Sequence, residues 1–166
     1  MTHPSIHART HPNKIAYQMA ATGKAITYRE LDELSNQGAH LFRSLGLKAG
    51  DHIALLMENR LAFMEICWAA QRSGLYYTAI SRYLKQDEID YIVKDCGAKV
   101  FITTPKCYEQ VKSLVGQKGG PLLYMMDEPE SGFRSWDKEA AAQPKTPIAD
   151  EVAGYDMLYS SGTTGR

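Results

Sequence analysis

The sequence predicts an α/β fold: a mostly parallel sheet with helices on both faces, a three-layer α/β/α arrangement, preceded by a short N-terminal β-hairpin. Three observations predict it. Strand-length apolar runs and helix-periodic segments alternate four times after the hairpin. The connections between them are a few residues long, the length at which parallel strands are joined by right-handed crossover helices. Finally, runs such as His52-Ile53-Ala54-Leu55-Leu56-Met57 are apolar almost throughout, the pattern of a strand buried on both faces.

Element by element, His3, His7 and His11 recur every four residues and would share a helix face, a spacing metal ligands can use. Pro4 and Pro12 flank them and no Cys or carboxylate completes a set, so a short surface helix is the better reading. Ile15–Met19 and Ala25–Tyr28 read as a hairpin around the Gly23 turn. Thr27 and Glu30 form a Thr-x-x-Glu capping box for a helix with Leu31, Leu34, Leu41, Phe42 and Leu45 on its apolar side and Gly46 as its stop. After the strand at 52–57, Asn59 is the expected N-cap of a helix over 60–73, packing through Phe63, Ile66, Cys67, Trp68 and Ala70. A strand at 76–80, a helix through 87–93 and a strand at 100–103 follow. Thr104-Pro105 then reads as cap and first turn of a helix carrying Val111, Leu114 and Val115, before a strand at 122–126. The Pro-containing stretch 127–151 reads as a surface excursion with a short helix near 133–142. Asp156–Tyr159 returns as a strand.

Composition excludes several function classes. The 166 residues are 44% hydrophobic and 23% charged, with 19 basic and 19 acidic residues, so no net field points to nucleic acid or an anionic surface. The ten tyrosines are dispersed without a basic stripe, which argues against base stacking. Three cysteines, Cys67, Cys96 and Cys107, lack CxxC spacing and read as buried thiols of a reducing compartment. With neither a signal pattern nor an apolar run of membrane-spanning length, a cytoplasmic protein without a transmembrane segment is expected. Glu30, Asp32 and Glu33, like Asp87, Glu88 and Asp90, fall in first helical turns, where carboxylates favour the helix dipole. No catalytic residue is assigned.

The most informative segment is the last, Tyr159-Ser160-Ser161-Gly162-Thr163-Thr164-Gly165-Arg166. Hydroxyl side chains and two glycines follow a strand, so backbone N–H groups and hydroxyls can converge on one point, as phosphate sites require. A plain turn has the same composition. A Walker A loop is excluded, because Gly-Lys-Ser/Thr is missing.

This octapeptide resembles the nucleotide-loop signature of the adenylate-forming, AMP-binding superfamily, which includes acyl-CoA synthetases and peptide-synthetase adenylation domains. Upstream, Thr27-Tyr28-Arg29-Glu30-Leu31 resembles the family's Thr-Tyr-x-Glu-Leu. Gly46-Leu47-Lys48-Ala49-Gly50-Asp51-His52-Ile53-Ala54 resembles its Gly-Leu-x-x-Gly-Asp-x-Val-Ala, and Glu58-Asn59 falls where the family carries an Asn. Where many members read Gly-Ala-x-x-x-Pro-x-Asn, this chain has Gly74-Leu75-Tyr76-Tyr77-Thr78-Ala79-Ile80-Ser81, with Ala79 and Ser81 in place of Pro and Asn.

The resemblance implies the N-terminal part of the large N-terminal domain of an ATP-dependent carboxylate–CoA ligase, ending inside its nucleotide loop. The alternatives are an adenylation domain loading a carrier protein and a non-catalytic assembly fragment. By resemblance, Ser160, Ser161, Gly162, Thr163, Thr164 and Gly165 would bind ATP, and the Ser160 hydroxyl would lie near Mg2+. Coenzyme A and a carboxylic acid, fatty or otherwise apolar, would be the other substrates. The loop lysine, the acidic magnesium ligand and the catalytic lysine of the family are expected after Arg166, so the chain alone is expected to be inactive. An exposed sheet edge would favour a homo-oligomer.

Overall fold

The computed structural model describes residues 3–159. A first helix, α1 (Ser5–Thr10), leads to the antiparallel hairpin β1 (Ile15–Gln18) and β2 (Ala25–Thr27). Helix α2 (Tyr28–Ser44) starts at the expected capping box: the Thr27 hydroxyl accepts from the Glu30 N–H, and the Glu30 carboxylate accepts from the Thr27 N–H at 2.8 Å. Then come β3 (His52–Leu56), α3 (Leu61–Arg72), β4 (Tyr76–Ala79), α4 (Gln86–Asp95), β5 (Val100–Thr103), α5 (Tyr108–Val111), β6 (Leu122–Met125), β7 (Arg134–Ser135), α6 (Trp136–Ala141) and β8 (Tyr155–Asp156).

Strands β3 to β8 form one parallel six-stranded sheet in the order β7-β6-β5-β3-β4-β8. The period-2 alternation of the strands divides the core in two. Ile53, Leu55 and Met57 with Val100, Ile102, Tyr124 and Met126 point to one face, where Phe42 of α2, Ile66 of α3 and Trp136 of α6 cover them. Ala54 and Leu56 with Phe101, Leu123 and Met125 point to the other, under Ile89 and Ile92 of α4 and Val111 of α5. The expected three layers and the leading hairpin are therefore present.

Several local expectations are corrected. Asn59 is not the cap of α3: Arg60 holds that position without a side-chain cap, and Asn59 is exposed. Thr104 does hold the N-cap position with Pro105 in the first turn, but its hydroxyl is turned to Glu58 instead of capping, and the helix there is broken into a 3₁₀ turn at Pro105–Cys107, α5 and a second 3₁₀ turn at Lys112–Leu114. Leu34 lies outside the core at 39% exposure, whereas Asn36 and Gln37 of the same helix are buried. β7 is an additional edge strand within the supposed excursion, and the short helix starts at Trp136 with Ser135 as its cap. β8 starts one residue earlier than expected and pairs only through Tyr155 and Asp156. The three histidines do not converge: the His3 ring meets Trp68 edge-on at 5.1 Å, His7 packs on Tyr28, and His11 Nδ1 is bonded to Thr10.

Candidate active site at the carboxyl ends of the strands

Because β3 leads into a helix on one face while β4 and β5 lead into helices on the other, their outgoing segments diverge and leave a crevice, the place where open α/β sheets bind ligands. A cleft of about 490 Å³ lies there, lined by Glu58 and Asn59 after β3, Phe63 of α3, and Ser81, Arg82 and Tyr83 after β4. The Arg82 guanidinium sits over the Tyr83 ring at 4.7 Å and donates to the Tyr83 hydroxyl.

Glu58 is the hub of the neighbouring polar network. Its Oε2 accepts from the Thr104 hydroxyl at 2.7 Å, bridging the ends of β3 and β5, and its Oε1 lies 3.7 Å from Arg60 and 3.8 Å from Lys106. Burial opposes its ionisation, but the Thr104 hydroxyl, its own backbone N–H and the two cations outweigh burial and hold the carboxyl below the usual range. Arg60 in turn forms a two-pronged pair with Asp127 at 2.8 and 3.0 Å, the geometry that fixes a guanidinium most firmly. Asp127 adopts φ 59°, and its N–H donates to Asp137 at 2.6 Å. Such a backbone is uncommon for a residue with a side chain and persists where the surroundings over-determine it. The Arg60 and Asp137 contacts do so here.

β8 lies beside β4, with Tyr76 opposite Tyr155 and Tyr77 opposite Asp156. Beyond it, Met157 and Tyr159 pack toward the α4 face, and the Tyr159 hydroxyl donates to Asp95 at 2.6 Å. Each of the sequence-assigned site residues, Ser160, Ser161, Gly162, Thr163, Thr164 and Gly165, lies outside the described residues, which end at Tyr159. Sequence reasoning missed the Glu58–Thr104 and Arg60–Asp127 pairs. Glu58 was legible only as a neighbour of Asn59, and nothing in the strand-and-turn pattern around Asp127 signals a partner 67 residues away.

The family profile described as "AMP-binding enzyme" matches residues 5–166. The chain belongs to the AMP-binding enzyme family. It is 32% identical to a feruloyl-CoA synthase of Amycolatopsis over 98% of this chain and 31% of the relative. It is 29% identical to surfactin synthase subunit 2 of Bacillus subtilis over 88% of this chain and 4% of that one. Among solved structures, the anthranilate CoA ligase AuaEII in complex with anthranoyl-AMP superposes with a TM-score of 0.83 at 26% identity, covering 99% of this chain and 33% of that one. The chain thus spans about a third of the length of these CoA-ligase relatives.

Proposed function

We propose that this chain supplies the N-terminal part of the large domain of an ATP-dependent carboxylate–CoA ligase, with Ser160 to Gly165 as its triphosphate-binding loop. In that reaction a carboxylate oxygen attacks the α-phosphorus of ATP, the bond to the β-phosphate breaks, and pyrophosphate leaves with its electron pair. A thiol then attacks the acyl carbon and AMP departs. Bringing one anion to another makes positioning and charge stabilisation the dominant requirements. The observation that carries the reading is the order of motifs along the strands: the Ser/Gly/Thr segment follows β8, which joins the sheet beside β4, so the chain heads toward its carboxyl end.

Magnesium would travel with the triphosphate, screening the anionic oxygens, and the Ser160 hydroxyl is a hard oxygen donor of the type the ion accepts. Among the described residues there is no cluster of three or more His, Cys, Asp or Glu side chains, and phosphate and water oxygens would supply other ligands of the ion. The acid is proposed to be fatty or otherwise apolar, and the similarity to a feruloyl-CoA synthase and an anthranilate CoA ligase favours an aromatic one. The match to surfactin synthase supports a second reading, transfer of the acyl group to a carrier protein. Among the described residues no helix is long and apolar enough to cross a membrane, and a cytoplasmic setting is part of the proposal.

Amide NMR of the chain with millimolar MgATP tests the loop assignment. Shifts centred on Ser160 to Gly165, reproduced by magnesium triphosphate but not by adenosine, are expected. Unchanged signals there would overturn it. Pyrophosphate release by the chain alone, with any carboxylate, should stay at background.

A further inference from the structure

β8 poses a mechanical problem. It is a two-residue strand at the sheet edge, paired on one side only among the described residues, with Tyr155 at 54% exposure and Asp156 exposed as well. A short edge strand of this kind is expected to open easily, yet in the reading above it delivers the phosphate loop. The segment preceding it carries the anchors. Helix α2 presents a polar stripe at helical spacing to the returning chain: Asn36 Nδ2 donates to the Lys145 carbonyl at 2.8 Å and Gln37 Nε2 to the carbonyls of Ala141 and Gln143, both at 3.1 Å. One turn on, His40 Nε2 is 2.9 Å from the Thr146 carbonyl, and Arg43 pairs with Asp150 at 3.0 Å.

At the end of that track lies Arg72, the last residue of α3, with its side chain only 1% exposed. Its guanidinium donates to Glu151 at 2.7 Å, to the Asp32 carboxylate at 2.8 Å, to Ser35 Oγ at 2.9 Å and to the Asp32 carbonyl at 3.0 Å. Its backbone carbonyl accepts from the Val152 N–H at 3.2 Å, and the Gln71 carbonyl accepts from Gly154 at 2.7 Å. Gly154 is wedged so tightly that a Cβ there would collide with the Leu75 carbonyl oxygen. Residues 151 to 154 are therefore held on the amino-end side of the sheet, where α3 finishes and β4 begins. β8, which follows directly, therefore has its direction and its register against β4 set at that end.

We propose that Arg72 is a positioning residue for the nucleotide loop: by holding Glu151 it fixes the start of β8, and through β8 the place at which Ser160 to Gly165 meet the triphosphate. The role rests on the reading of that loop as the ATP site. Arg72 itself lies at the opposite end of the strands and touches no reacting group. A buried guanidinium with three side-chain partners suits this task, because its planar fork fixes orientation as well as distance.

Hydrogen exchange of the chain, followed by mass spectrometry and paired with MgATP titrations by NMR, tests the proposal in Glu151→Gln, Arg72→Lys and Arg72→Met. Glu151→Gln carries the test if Arg72→Met fails to fold, since Glu151 is the most exposed partner and its loss leaves Arg72 paired with Asp32. The N–H groups of Tyr155 and Met157 should exchange about tenfold faster in Glu151→Gln, the loss of one charge-assisted bond, while those of Val100–Thr103 stay at the parental rate. MgATP affinity at the Ser160–Gly165 signals should fall several-fold, and Arg72→Lys should recover part of both effects. Parental exchange at Tyr155 and Met157 in Glu151→Gln would overturn the proposal, as would faster exchange with unchanged MgATP affinity. Faster exchange in a chain whose parent shows no MgATP response would overturn the nucleotide reading, and the positioning role with it, while the clamp itself would stand.

Discussion

At Gly38, in the middle of α2, two residue-scale effects oppose each other. A Cβ there would sit 2.7 Å from Ala69 Cβ and 3.3 Å from Trp136 Cζ2. Ala favours a helix interior over Gly by about 1 kcal/mol, but overpacking a closed contact costs about 1–3 kcal/mol. Ala69 is fully buried on α3 and has no rotamer through which to yield, so the clash should win. Gly38→Ala is expected to lower stability by up to about 2 kcal/mol, read as a lower urea midpoint with unchanged slope. Glu65, facing a small cleft shared with Trp136 and Asp137, gives a pH-dependent counterpart. Burial, with the Asp137 charge adding to it, pushes its carboxyl from 4.5 up to about 7. The folded protein holds this proton more tightly than the unfolded chain does. The associated stability is therefore complete below pH 4.5 and is lost as pH rises to about 7. A shift of this size corresponds to on the order of 3 kcal/mol. Glu65→Gln should remove that decline, so urea unfolding at about pH 5 and about pH 8 should differ less in the variant than in the parent. Equal pH slopes in both proteins would reject this assignment.

At the scale of elements, α2 shows what a sequence discloses and what it withholds. Its capping box and the burial of Leu31, Leu41 and Phe42 follow from local spacing, and both are present. Its second stripe, Asn36, Gln37, His40 and Arg43, was not legible, because a polar residue on a helix reads as solvated until its partner is known. Those partners are backbone carbonyls and a carboxylate more than 100 residues away. The same logic separates the strands. β3 and β5 are legible because burial on both faces demands continuous apolar runs, whereas β7, Arg134-Ser135, is an edge strand with no apolar pattern to betray it. In the site, the Ser160–Gly165 loop is legible as chemistry from residue types alone, while the Glu58–Thr104 bridge depends on β5 lying beside β3. The α2 stripe makes a specific prediction. Gln37→Leu removes the donor shared by the Ala141 and Gln143 carbonyls, and the return segment should open locally while the sheet remains intact. Trypsin cleavage after Lys145 should then accelerate several-fold, with little change in the far-ultraviolet circular dichroism.

Over the whole molecule, the question is whether the two cores can come apart. One is built on α2, α3 and α6 and the other on α4 and α5, yet consecutive residues of the same strands feed both. Opening the α4 face would expose Ala54, Leu56, Phe101 and Met125, all fully buried in the fold, and would leave β3 and β5 packed on one side only. Such strands carry no polar outer face with which to meet water, unlike a sheet designed for one-sided burial. The remaining half would thus lose its hydrophobic rationale together with the departing half, and a single cooperative transition follows. The chain contains separate reporters for the two sides. Trp68 and Trp136 belong to the α2–α3–α6 side, as does Cys67, whose thiol burial pushes up to about 12. Cys96 and Cys107 are buried on the other side, and burial raises both thiols as well. In urea, tryptophan fluorescence and the reactivity of Cys96 and Cys107, followed in a Cys67→Ala background, should report the same midpoint. Thiol reactivity that rises at clearly lower urea than the fluorescence change would mean that α4 and α5 peel away first, and that the sheet tolerates one bare face.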